Sequence, residues 1–223
     1  MTEQEWLECS DPKSLLYHLG SKADKRRCIL FVCACERRLW DEPDCEREKI
    51  KVTEHYADGK AIAAHVAAAL RDTGIDDMDV AFVTTRVGSV PWAISESLDS
   101  AALVADAALR DQAFTEGGKV NSLEADLARK AAYDVEKLLQ CDLLRDIFAN
   151  PFRPIALDPS WFSPKVVALA QEIYDTRAFD LLPSLADALE AGGCDDAEIL
   201  NHCRAPGSHV RGCWVLDLVL GKG

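Results

Sequence analysis

Apolar residues recur at spacings of three and four along nearly all of this chain, the period of helices that bury one face. Thr2 caps a short first helix carrying Trp6 and Leu7, and Glu5, three residues on, completes a capping box. Asp11-Pro12 opens a second helix with Leu15, Leu16 and Leu19, which stops at Gly20. Residues 22–40 predict a third whose apolar positions (Ile29, Leu30, Val32, Cys33, Leu39, Trp40) cover much of its circumference, so it is expected at the centre of a core. Pro43 interrupts. Residues 44–57 then predict an amphipathic helix with Ile50, Val52 and Tyr56 inward and Gly59 as its stop.

Two alanine-rich helices follow, at 60–72 and 91–114, whose small side chains suit close backbone packing. Between them VAFVTTRVGSV (80–90) is enriched in β-branched residues, yet a lone strand has no partner here, so a helix end and loop are expected. A long helix spans 121–149, capped by Asn121 or Ser122 and ended by Pro151. The proline-rich segment 150–162 carries Phe152, Ile155, Leu157, Trp161 and Phe162, the composition of an ordered, packed loop. Helices at 164–176 (capped by Ser163), 178–190, 195–203 (capped by Asp195) and 209–220 close the chain. The pattern is therefore all-α: about ten helices in an irregular array of helical hairpins, solenoid-like at the C-terminus if the pairs 164–190 and 195–220 stack as repeats. Glu116-Gly117-Gly118-Lys119 marks a soft boundary between an N-terminal half, 1–116, and a C-terminal half, 119–223, packed as one unit.

Composition narrows the class. The apolar runs CILFVCAC (28–35) and 61–70 are too short to cross a bilayer, so no membrane partner is expected. The acidic N-terminus has no hydrophobic signal core, and nine cysteines without framework spacing read as free thiols, which together place the chain in the cytoplasm. The net charge of −13 is carried almost wholly by residues 61–223, with 14 Lys/Arg against 25 Asp/Glu. Such a surface repels phosphate backbones, and Lys25-Arg26-Arg27 and Arg37-Arg38 lack the aromatic and basic company of a nucleic-acid site.

Several long motifs group this chain with others. EWLECSDPKSLLYHL, LFVCACERRLW, HYADG at 55–59, LLRDIFANPFRPIALDPSWF and HVRGCWVLDLVLGK together resemble a group of uncharacterised bacterial proteins common in planctomycetes. The resemblance covers residues 1–60 and 140–223 and implies no activity, since none is assigned to that group. One departure is CACERR, where the group leads one to expect adjacent cysteines, so a site built on such a pair is not carried over.

The chemistry concentrates at the C-terminus, in Cys194, His202, Cys203, His209 and Cys213. A helix over 195–203 would hold Cys194 and Cys203 about 12 Å apart along its axis at ~1.5 Å per residue, too far for one ion. If Ser208 caps the last helix, His209 and Cys213 lie four apart on one face, and His202 or Cys203 approaches across the turn. That makes a three-ligand zinc set in want of a fourth, for which Cys9 and Cys141 are candidates. The competing account is that Cys203 and Cys213 are small buried hydrophobes, and it is the favoured one. Cys28, Cys33, Cys35 and Cys45 read as core cysteines by the same reasoning. Asp76-Asp77, Asp79 and Asp195-Asp196-Glu198 read as helix-start charges.

No phosphate-cradling glycine loop, nucleophile elbow or HExxH motif is present. A thiol-dependent enzyme built on Cys213 and His209 is a remote alternative. The 150–162 loop, near Arg145 and with Phe152, Arg153 and Trp161, would form a patch for a protein partner if its rings face outward. Taken together, the sequence reads first as a cytoplasmic helical interaction or adaptor module without catalytic activity or cofactor, and second as a zinc-binding protein.

Overall fold

Capping chemistry sets where the first helices begin. The computed structural model describes residues 1–38, 47–62, 64–65, 122–155 and 158–222. In it Thr2 and Glu5 exchange the two bonds of a capping box, opening α1 (Glu3–Glu8), whose Trp6 is buried. Asp11 accepts from the Ser14 amide at the head of α2 (Pro12–Leu19), and Gly20 (φ +50°) ends it. Residues 20–22 form a single 3₁₀ turn and Asp24 accepts from the Arg27 amide, so α3 (Lys25–Arg37) starts three residues later than its apolar pattern predicts. α4 runs Arg47–Ala57 and α5 Ser122–Phe148. The helix expected at 91–114, the segment 80–90, the break at 116–119, Cys45 and the acids Asp76, Asp77 and Asp79 lie outside the described residues; of the helix expected at 60–72, residues 60–62 are non-helical, 64–65 are helical and the rest lies outside them.

Among the described residues the regular structure is helical without strands, in nine α-helices. No helix among them is long and apolar enough to cross a membrane. They divide into two units, Met1–Leu144 and Arg145–Gly223, and the division falls within α5.

The first unit is organised by α3, which buries Cys28, Ile29, Leu30, Phe31, Cys33, Ala34 and Cys35, as its all-round apolar pattern requires. It packs on α4 through Ile29, Cys33 and Ile50. Two-pronged ion pairing reinforces that contact: Arg37 Nε and Nη2 donate to Glu54 Oε1 and Oε2 at 2.6 and 2.9 Å, with the Glu54 carboxylate almost wholly buried. Arg26 donates to Asp58 and Arg38 to Glu136.

The second unit holds the remaining four helices. Ser163 caps α6 (Pro164–Thr176) by accepting from the Val166 amide. A 3₁₀ turn at 179–181 leads into α7 (Leu182–Ala191). Gly192 follows; a Cβ there would meet the carbonyl oxygens of Trp161 and Leu189 at 3.1 and 3.2 Å, so the 159–161 turn passes this point only because the side chain is absent. The cap of α8 (Ala197–Arg204) is Asp196 and not Asp195, because the Asp196 carboxylate reaches the amides of Glu198 and Ile199. The last helix, α9, is Trp214–Leu220, five residues shorter than the pattern suggests. α7 packs on α6 and α8, and α9 returns against α6 and α8, closing the four around one core. Ile173, Tyr174, Leu185, Leu189, Ile199 and Leu216 lie at its centre.

Candidate metal centre

Residues 205–213 link α8 to α9 as an irregular turn, and this changes how His209 and Cys213 meet. Gly212 has φ +95°, a conformation that L side chains avoid and that a helix cannot contain. The Cys213 amide donates to the Val210 carbonyl at 2.9 Å, folding the segment back on itself. The expected one-face helical pairing of His209 with Cys213 is therefore corrected: a turn brings them together, and Cys213 is the N-cap residue of α9.

Helix geometry separates the two preceding candidates. His202 and Cys203 are neighbours on the last turn of α8, about 100° apart around its axis at 3.6 residues per turn. Cys203 falls on the apolar core together with Cys194, and His202 faces the turn. Arg204, bonded to Asp187 and Glu190, ties the end of this helix to α7. Cys203 is accordingly outside the group of converging donors, and burial, followed by the charge of Asp146, pushes its thiol up to about 12.

The fourth converging side chain is Asp146, on the last turn of α5. Its Oδ1 lies 2.7 Å from His209 Nδ1 and 3.1 Å from His202 Nε2. Its Oδ2 accepts from the Val210 amide at 3.0 Å, anchoring the turn. His202 Nε2 also lies 3.2 Å from Cys213 Sγ. One donor atom from each of Asp146, His202, His209 and Cys213 falls within 4.8 Å of every other. The expected contributors Cys9 and Cys141 are not among them; Cys141 is buried in the first unit, and a carboxylate takes the fourth place.

The group is closed. Side-chain exposure is 5% for Asp146, 10% for His209 and 18% for His202, and Cys213 is fully buried. Burial would raise the Asp146 carboxyl, but its hydrogen bonds to His202 and His209 and their charges outweigh that and hold it below the ordinary carboxylate range. Burial, with the charge of Asp146 added, pushes the Cys213 thiol well above its ordinary value. His209 Nε2 is buried with no hydrogen-bond partner.

Two chemistries can be tested against this geometry. A nucleophilic thiol needs a base on one side and a group orienting that base through its other nitrogen. Here the same nitrogen, His202 Nε2, faces both Cys213 and Asp146, so no relay exists, and the thiol is inaccessible and held protonated. A metal ion, by contrast, accepts electron pairs from all four donors at once. Bonds of ~2.0–2.3 Å in a tetrahedron separate ligand atoms by about 3.3–3.8 Å. The contacts of 3.1 and 3.2 Å are close to that range, and the Asp146–His209 contact would open by about half an ångström.

The candidate partner patch is only partly outward. Phe152 is exposed to 36%, Arg153 is half-exposed and bonded to Glu198, and Trp161 packs against the core of the second unit. Sequence reasoning missed Asp146. The signal available was an acid on a helix's last turn, where the dipole disfavours it, inside the apolar run LLRDIF. The chain matches no protein-family model, no curated protein and no solved structure.

Proposed function

We propose that this protein holds one divalent transition-metal ion, zinc by its donor set, as a structural centre of residues 145–223. The observation that carries this reading is the convergence of four ligand-type donors from three separate segments within 4.8 Å, in a buried site. Two imidazoles, one thiolate and one carboxylate suit tetrahedral zinc; magnesium and calcium want oxygen alone, and copper(I) wants more sulfur. Metal binding also gives the donors a common partner that hydrogen bonding does not, since one His202 nitrogen cannot serve both Asp146 and Cys213.

A structural role fits better than a catalytic one. Four protein donors leave no open position for water or substrate. The ion would tie the 205–213 turn and α8 to the end of α5, a useful staple in a helical unit of this size. The protein is thus read as a non-catalytic helical module whose C-terminal unit is metal-stapled. A docking role for the 150–162 loop has less support, because Trp161 packs inward and Arg153 already pairs with Glu198. Metal analysis of the full chain, purified without chelator, tests the proposal. About one equivalent of zinc is expected, falling severalfold in His209→Ala and Cys213→Ser. Folded protein that carries no metal and takes up none from added zinc sulfate overturns it.

A further inference from the structure

We infer that Trp214 is a positioning residue for this centre, holding His202 in its ligating orientation and walling off the most open of the four donors. The inference rests on the metal reading above. His202 is the donor with the greatest exposure, 18% against 10% or less for the others. It sits on the last turn of a helix, and among the described residues its Nε2 is held only through the contacts of the centre itself, at 3.1 Å to Asp146 and 3.2 Å to Cys213. Two rings restrain it. His209 meets it edge-on at 4.9 Å between centroids and 74° between planes, and Trp214 lies at the same centroid distance, tilted by 52°.

These restraints differ in kind. His209 is itself a donor, so its contact moves with the centre it helps to form. Trp214 donates nothing to the group, and it is placed independently as the first residue of α9, half-buried against the core of the second unit. Its indole therefore transmits the rigidity of that core to the most exposed of the four donors. The apolar shell about a metal site also controls water's access to it, and thereby the rate at which a chelator reaches the ion. Because Trp214 adjoins Cys213 in sequence, one short segment supplies both a ligand and the shield of another.

The test uses the full chain loaded with cobalt(II) chloride, whose thiolate-to-metal and ligand-field bands report coordination directly. Trp214→Leu removes the flat ring and Trp214→Phe keeps one. Trp214→Leu should bind cobalt about tenfold more weakly, lose it to EDTA about tenfold faster, and show altered ligand-field bands. Trp214→Phe should restore all three to near wild type. Should Trp214→Leu fail to fold, Trp214→Met, flexible enough to fit an irregular gap and likewise without a planar face, takes its place. Wild-type stripping rates and spectra in the Leu or Met variant overturn the inference, as does a Phe variant no better than Leu. Absence of any cobalt spectrum in the wild-type chain overturns the metal reading itself, and is seen before a variant is made.

Discussion

Asp146→Asn is the most discriminating single change, because one carboxylate does three things: it faces two imidazoles through Oδ1 and accepts the Val210 amide through Oδ2. The amide is nearly isosteric, but one of its two ends must donate. If its oxygen stays on Val210, an NH₂ group faces the imidazoles; if it turns, the NH₂ meets the Val210 N–H. Losing charge-assisted hydrogen bonds of this kind costs about 1.5–3 kcal/mol in the metal-free protein. The metal term is separable. At free zinc a thousand times Kd, the wild-type chain gains about 4 kcal/mol, or about 8–16 °C in Tm for a chain of this length. If losing the anionic ligand weakens binding about a hundredfold, the variant at the same zinc gains only about 1.4 kcal/mol, about 3–6 °C. Paired thermal melts in EDTA and in buffered zinc read both numbers. An Asn variant whose zinc-induced shift equals that of the wild type would show that Asp146 is not a ligand, whatever happens to its stability in EDTA.

Other expectations concern the rest of the chain. Arg37→Ala removes the two-pronged partner of the buried Glu54 carboxylate and should cost about 3 kcal/mol by urea denaturation, most of it recovered in the Arg37→Ala/Glu54→Gln double variant; equal losses in both would refute the fork as the cause. Partial burial pushes Asp11 up, but its hydrogen bonds from Ser14 and the charge of Lys137 outweigh this and leave it below the ordinary range. A depressed carboxyl stabilises the fold above its unfolded pKa of about 3.9 and loses that contribution as pH falls below it. Asp11→Ala should therefore cost about 1 kcal/mol at pH 7 and progressively less below about pH 4, and a pH-independent difference would contradict the assignment. Native alkylation at pH 8 followed by peptide mapping should modify Cys9 well before Cys203 and Cys213, whose buried thiols are held protonated; early labelling of Cys213 would remove the closed-site description.

Much of the fold was legible because helix starts are local. Thr2 with Glu5, Asp11-Pro12 and Ser163-Pro164 each write their cap within four residues, and the structure uses all three. The last helix was overextended because Val210 and the apolar run after Gly212 continue a helical pattern, while the positive φ of Gly212 depends on tertiary anchoring. Of the site, the His202 and Cys213 end could be read from short spacing. Asp146 could not, since it lies 63 residues before His209 and its burial is decided by what folds over it. An acid in a 3.6-period helix looks like a solvated residue until that partner is known.

The same separation orders events in time. Asp146 leaves the peptidyl-transfer centre 63 residues ahead of His209, which at ~5–20 residues per second is about 3–13 s of synthesis. During that interval the Asp146 carboxylate stands without the His209 ring and the Val210 amide that later bond it. On the metal reading proposed above, the carboxylate is made well before its partner imidazoles and thiol, and the ion can be held only once His209 and Cys213 have followed.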